Sequence, residues 1–369
     1  MIAMSELFQG ARIADIDVRN RFVRSATWDG MADDNGAVTE RMIDLYRSLA
    51  QGGVGLILTG YAFITLKGKA GPGMLGADDD ELVPGLRDLA AVSHENGAKI
   101  VLQIAHGGSQ TIAKTGMTPE APSAVEDRMT RKVPVEMTHD DIERVVQEFA
   151  EAARRAKEAG FDGVQLHGAH GYLISQFLSP YCNVRSDDYG GSIENRARML
   201  FETYKAIRER VGGDYPVMIK INVSDFDAVG LTDEDSLWVC QKMSEMGVDA
   251  IELSGGVPAA GELSAARFAI SSPDKEAYFS DYAKRFKPHL DCPVMLVGGL
   301  RSIGVMEEIY RDGSAEFFSL CRPFISEPDL INRWESGDTE PARCISCNKC
   351  LTTAFMGKSL RCVALEEEG

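Results

Sequence analysis

The chain has 369 residues, 44% hydrophobic and 26% charged, enough apolar material for one large buried core or two ordinary ones and too much for a disordered chain. Lysine and arginine number 39 against 56 aspartates and glutamates, a formal net charge of −17, which argues against nucleic acid or an anionic membrane as partner. No apolar run approaches the roughly 18 residues of a membrane span. The opening MIAMSELFQGARIADIDV has acids and no basic head before an apolar run, so it does not read as a signal peptide, and the expected location is the cytoplasm.

In chain order, the first strand is expected at Phe22–Ser25. From there one pattern recurs: an amphipathic helical segment ends in glycine and a short apolar run follows. The instances are AQGGVGLILTG (50–60), HENGAKIVLQIAH (94–106), KEAGFDGVQLHGAH (157–170), SEMGVDAIELSGG (244–256) and YRDGSAEFFSLCR (310–322). Glycine just past a helix end supplies the left-handed stop. Continuous apolar runs such as Gly55–Leu58 and Ile100–Ile104 suit strands buried on both faces. With Val217–Val223 and Pro293–Val297 the strands number about eight and alternate with helices, the pattern of an α/β chain folded as a TIM (β/α)8 barrel. A doubly wound open sheet is the rival, but it needs a topological switch point and normally fewer strands at this length.

Before the fourth strand, Ile142, Val145, Val146, Phe149, Ala153 and Ala156 share one helical face, and Thr138 with Asp141 forms a capping pair with Asp in place of Glu. The connection Gly107–Met137 is long, polar and rich in Gly, Pro and Thr. It follows a strand, so it is expected to lie on the active-site face as a lid over the barrel mouth. The barrel is expected over 1–340, with a cysteine-rich tail over 341–369.

Gly71-Pro72-Gly73-Met74-Leu75-Gly76 matches G-x-G-x-x-G literally. It is read as a surface turn before a helix, because Pro72 removes an amide donor and Asp78, Asp79 and Asp80 would repel a pyrophosphate. The segment 165–199 is the richest in chemistry. His167 and His170 stand at the end of a barrel strand, where barrels hold their chemistry, with Tyr172 just beyond. Two imidazoles can hold one ligand oxygen and a phenol can supply a proton. Metal ligation would need a third group such as His106 to converge. The polar run from Asn183 to Arg196 reads as a hydrogen-bonded turn leading into a helix.

The stretches HGAHGYLISQFLSP and NVRSDDYGGSIENRAR, with NRFVRSAT at 20–27 and the sequence on to Arg322, closely resemble the Old Yellow Enzyme family of FMN-dependent ene-reductases. The resemblance implies a TIM barrel with FMN at its mouth. Ser25, Ala26 and Thr27 match the segment along the flavin, Gly60 and Tyr61 the end of the second strand, and Gln103 the glutamine on the flavin pyrimidine edge. Lys220 matches the cation near flavin N1. Gly298, Gly299, Cys321 and Arg322 match the phosphate site. His167 and His170 match the pair that holds the substrate's electron-withdrawing oxygen, and Tyr172 the proton donor to its α-carbon. The implied reaction is hydride transfer from reduced flavin to the β-carbon of an activated alkene, with NAD(P)H as a reductant. Trp28 stands where other members carry Cys or Thr, and Tyr61 where a smaller residue is common; both bear on the substrate pocket.

Cys344, Cys347, Cys350 and Cys362 read C-x2-C-x2-C-x11-C, a spacing that suits a [4Fe–4S] cluster or a tetrahedral zinc, with free thiols as the bland reading. The tail resembles the cluster-binding segment of 2,4-dienoyl-CoA reductase and trimethylamine dehydrogenase, long members of the same family that continue into further FAD- and nucleotide-binding domains. That resemblance implies the iron–sulfur cluster and leaves the electron source between NAD(P)H and a separate electron-donor protein. It also keeps two other readings open: an amine dehydrogenase or demethylase, and an electron-transfer subunit without its own substrate. Family members often form homo-oligomers.

Overall fold

A computed structural model describes residues 5–111, 117–356 and 358–368. Eight parallel strands form a closed ring: β1 (Phe22–Arg24), β2 (Leu56–Leu58), β3 (Lys99–Ala105), β4 (Gly163–Gly168), β5 (Val217–Asn222), β6 (Ile251–Ser254), β7 (Val294–Val297) and β8 (Phe317–Leu320). Each pairs with its neighbour in sequence, and β8 returns to β1 with Phe318 beside Phe22. A short strand, Ala62–Phe63, pairs with the upper part of β3.

The principal helices are α1 (Glu40–Gln51), α2 (Val83–Glu95), α3 (His139–Glu158), α4 (Arg198–Val211), α5 (Asp233–Glu245), α6 (Ser280–Phe286), α7 (Ile303–Arg311) and α8 (Leu330–Glu335). This is the TIM barrel expected from the alternating pattern. The helix-ending glycines take the left-handed backbone that the pattern requires, as at Gly97 (φ 80°) and Gly160 (φ 89°). The capping pair also forms: Thr138 Oγ1 accepts from the Asp141 N–H and the Asp141 carboxylate accepts from the Thr138 N–H.

Side-chain parity along each strand sorts the molecule into an outside and an inside. Ile100, Leu102, Val164, Leu166, Ile219, Ile221, Ile251 and Leu253 point out against the helices. The intervening residues point in. The lower interior is apolar, built from Val23, Leu56, Leu58, Val101, Met218, Ala250, Met295 and Phe317. It is sealed from below by Ile13, Ile16 and Val18 of an N-terminal hairpin (Ala11–Ile13 with Ile16–Val18). One inward position further along several strands, the character changes to Ser25, Gln103, His167, Lys220 and Glu252, all buried. The same period that fills the core therefore delivers polar groups to the mouth.

The cysteine-rich segment is stitched to that mouth. The Ala342 N–H donates to Arg301 O, the Ala269 N–H to Ser346 O and the Leu360 N–H to Asp29 O. Among the described residues, no helix is long and apolar enough to cross a membrane.

Candidate active site

The mouth holds a cleft of about 1380 Å³. Its walls include Ser25, Ala26, Thr27 and Trp28 after β1, Tyr61 after β2, Gln103 on β3, His167 on β4, Lys220 on β5 and Cys321 after β8, together with His170 and Tyr172. Residues that are far apart in sequence and expected at one site are thus brought together. Gly60 stands behind the wall, where a Cβ would come within 2.8 Å of Thr27 O and 2.9 Å of Asp29 Oδ2.

His167, His170 and Tyr172 form one aromatic group. Ring centroids are 5.2 Å apart for His167–His170 and 4.8 Å for His167–Tyr172. His167 Nδ1 accepts from the Ala169 N–H at 3.4 Å, which leaves the ring proton on Nε2. His170 Nε2 lies 2.7 Å from Ser254 Oγ, and the Asn222 Oδ1 accepts from the His170 N–H. Burial, then the neighbouring His170 and Lys220 charges, hold His167 well below the ordinary histidine range. Burial and Lys220 lower His170 to about 3. Both rings are neutral near pH 7, so they act as neutral hydrogen-bonding groups. Burial pushes the Tyr172 phenol up to about 12, and its Oη donates to Tyr61 Oη at 2.9 Å. Tyr172 therefore keeps its proton.

The cleft floor is a chain of polar side chains. Lys220 Nζ donates to Ser25 Oγ (2.9 Å), and Ser25 Oγ donates to Glu252 Oε1 (2.8 Å). Gln103 Nε2 donates to Gln165 Oε1 (2.7 Å), and Gln165 Nε2 donates to Glu252 Oε2 (2.9 Å). Gln103 Oε1 is buried without a partner. An occupant that brings an N–H to Gln103 and electron-rich atoms to Lys220 would complete this layer, as the pyrimidine edge of a flavin does.

A second cavity adjoins the cleft, sharing Val297 and Cys321 with it and lined further by Gly299, Arg301, Ser319 and Arg322. Gly298 and Gly299 are packed against Tyr278, where a Cβ would come within 3.2 Å and 2.7 Å of the ring respectively. Arg322 is less free than a bare anion fork: its Nη1 donates to Arg267 O and to Asn348 Oδ1, both at 2.7 Å.

The four tail cysteines line one further cavity of about 810 Å³ with Arg322, Ile325 and Val363. Among the described residues, no three His, Cys, Asp or Glu side chains are grouped tightly enough for a single metal ion. His106 does not join the histidine pair; its Nε2 faces Glu120 Oε1 at 3.4 Å.

One expectation is corrected. The G-x-G-x-x-G segment is not a surface turn. A Cβ on Gly71 would fall 2.5 Å from the Trp28 ring and one on Gly73 would fall 2.6 Å from Gly30 C, and Trp28 Nε1 donates to Pro72 O. These glycines exist so that the segment can back the cleft wall. The connection 107–137 sends Gln110 and Met129 to the cleft, and other described parts of it are held by hydrogen bonds. Ser109 Oγ donates to Asp127 Oδ2, and Arg185 Nη1 donates to Pro122 O and Met137 O. Residues 112–116 of it lie outside the described residues. The run Asn183–Arg196 is the structural turn expected: Asn183 Nδ2 donates to Phe177 O and Tyr189 O, and Arg196 pairs with Asp235.

Sequence reasoning missed three things. Leu351 and Ala354 of the tail form part of the cleft wall. Beside it, a buried Arg24–Asp29–Tyr46 network fastens the loop after β1 to β2: Arg24 Nη2 donates to Asp29 Oδ1 at 2.5 Å, Tyr46 Oη to Asp29 Oδ2, and the Gly60 N–H to Tyr46 Oη. Gln165 and Glu252 also escaped notice, although a carboxylate within the apolar AIELSGG run was a visible signal.

Residues 6–340 match the NADH:flavin oxidoreductase / NADH oxidase family. A metal reductase of Desulforamulus reducens is 38% identical over 369 residues, covering 99% of this chain and 54% of that protein. Among solved structures, a 2-naphthoyl-CoA reductase in complex with 2-naphthoyl-CoA matches with a TM-score of 0.89 at 30% identity, covering 97% of this chain and 56% of that one. Histamine dehydrogenase from Rhizobium sp. 4-9 matches with a TM-score of 0.87 at 29% identity, covering 97% and 52%. The chain spans about half the length of these three relatives. With its barrel closed and residues 6–340 matched, the chain belongs to the NADH:flavin oxidoreductase / NADH oxidase family.

Proposed function

We propose that the chain is an FMN-dependent ene-reductase acting on an α,β-unsaturated carbonyl compound, with NAD(P)H as reductant. The carrying observation is the convergence of two neutral imidazoles and a protonated phenol on a cleft whose floor offers Lys220 and the unpartnered Gln103 Oε1. When bound and reduced, a flavin would supply the hydride. Gln103 would accept from its N–H edge, Lys220 would offset negative charge there, and Gly299, Arg301 and Arg322 would line the phosphate end. His167 donates from Nε2 to the substrate carbonyl oxygen. With Ser254 Oγ on its Nε2, His170 has Nδ1 left for the same oxygen. The pair stabilises enolate charge as it develops, and Tyr172 Oη delivers the proton to the α-carbon. The name of one structural neighbour, a reductase bound to a conjugated acyl thioester, supports this reading.

The four tail cysteines all line one cavity, and their C-x2-C-x2-C-x11-C spacing suits a [4Fe–4S] cluster. Such a cluster would connect the cleft to a protein electron donor. The proposed location is the cytoplasm, where thiols stay reduced. The test is anaerobic purification with a visible spectrum, flavin extraction, metal analysis and enone turnover. A colourless protein that takes up no FMN overturns the reading, and iron content unchanged by Cys347→Ser removes Cys347 as a ligand.

A second reading, amine oxidation, is favoured by the aromatic wall of Trp28, Tyr61 and Tyr172, whose successive centroids lie 6.4 and 5.3 Å apart and whose faces suit a cation. The neighbouring histamine dehydrogenase points the same way. Turnover of an enone against a tertiary amine separates the two.

A further inference from the structure

We propose that Glu252, which the mechanism above does not use, is the positioning residue for the whole cofactor-facing floor, fixing the polarity of Gln103 and offsetting the charge of Lys220. The proposal rests on the flavin reading.

Glu252 sits on β6 with no solvent exposure, below the residues that line the cleft. Its two carboxylate oxygens serve two arms. Oε1 accepts from Ser25 Oγ, which in turn accepts from Lys220 Nζ; Oε2 lies 3.3 Å from Lys220 Nζ and accepts from Gln165 Nε2. A carboxylate can only accept. Gln165 must therefore turn its amide nitrogen to Glu252 and its carbonyl to Gln103. Gln103 must then spend its nitrogen on Gln165, which leaves Oε1 as the atom without a partner. The orientation of a side-chain amide at the cleft is thus set two residues away by a buried charge. The first arm has an electrostatic consequence. A buried ammonium alone would draw negative charge strongly onto any group above it, and a carboxylate 3.3 Å away cancels much of that field.

The test uses the purified full chain, reconstituted with FMN, and reads the flavin midpoint potential and the affinity for sulfite, which adds to flavin and leaves negative charge on it. Glu252→Gln keeps the shape and removes the charge. Its sulfite dissociation constant should fall about tenfold, and the midpoint potential should rise by about 30 mV for a two-electron couple. Gln165→Met keeps the ion pair and cuts the other arm. It should raise the FMN dissociation constant about tenfold while leaving sulfite affinity within about twofold. Wild-type potential and sulfite affinity in Glu252→Gln would overturn the charge role. Wild-type FMN affinity in Gln165→Met would overturn the orienting role, and this holds even where Glu252→Gln does not fold. A wild-type chain that takes up no FMN would defeat the flavin reading itself, and this inference with it.

Discussion

Arg322 and Asn348 join the barrel to the cysteine tail: a guanidinium nitrogen at the end of β8 donates to Asn348 Oδ1 at 2.7 Å, one residue after Cys347. Asn348 has a left-handed backbone (φ 58°), so Gly is the substitution that removes the amide without straining the chain. Leaving this buried donor unpaired costs about 1–3 kcal/mol. We expect Asn348→Gly to weaken FMN binding about tenfold, equivalent to about 1.4 kcal/mol, in a fluorescence titration of the apoprotein. Unchanged affinity would separate the tail from the phosphate end.

Tyr172→Phe removes the only atom by which that ring can give a proton. Flavin should remain bound and its reduction by NAD(P)H should proceed, while reoxidation by an enone slows by about 10²–10⁴. Stopped-flow measurement of the two half-reactions checks this. Because burial places the Tyr172 phenol near 12, the donor form persists well past the ordinary tyrosine range, and wild-type reoxidation should show no loss attributable to Tyr172 below pH 10.

His170 gives a stability prediction with a definite sign. Its folded-state value is lowered to about 3, whereas the unfolded chain takes up the proton near 6.5. The unfolded state therefore binds more protons between those limits. The contribution is fully present above about pH 6.5 and is lost as pH falls towards 3. His170→Asn should flatten the fall in urea midpoint between pH 7 and pH 5 relative to wild type. Parallel pH profiles for the two proteins would contradict it.

Gly71→Ala places a methyl 2.5 Å from the Trp28 ring. Overpacking of this kind costs about 1–3 kcal/mol. We expect a lower melting temperature and a changed KM for bulky enones, because Trp28 lines the cleft. A variant with wild-type melting and KM would show that the wall yields freely.

Much of this was legible in the sequence. The helix–glycine–strand repeat identified the barrel because each apolar run had to be buried on both faces. Parity along KINVS and QLHG places Lys220 and His167 on the inside once Ile219, Ile221, Val164 and Leu166 are assigned to the helices. What escaped were relationships with no local signal. Trp28 needs Gly71, and Asp29 needs Arg24 and Tyr46, because chain segments that are distant or differently shaped meet there. Leu351 and Ala354 look like ordinary tail residues until the tail is seen lying across the mouth.

The pairing of Phe22 with Phe318 has a consequence for biogenesis. The ring cannot close until β8 has been synthesised, so the first barrel strand waits with one edge unsatisfied while all the intervening strands are made. Partners this remote in sequence make for slow, cooperative assembly. The pocket should therefore be among the last features to mature, and nascent chains cut short before residue 317 should be captured by chaperones rather than by cofactor.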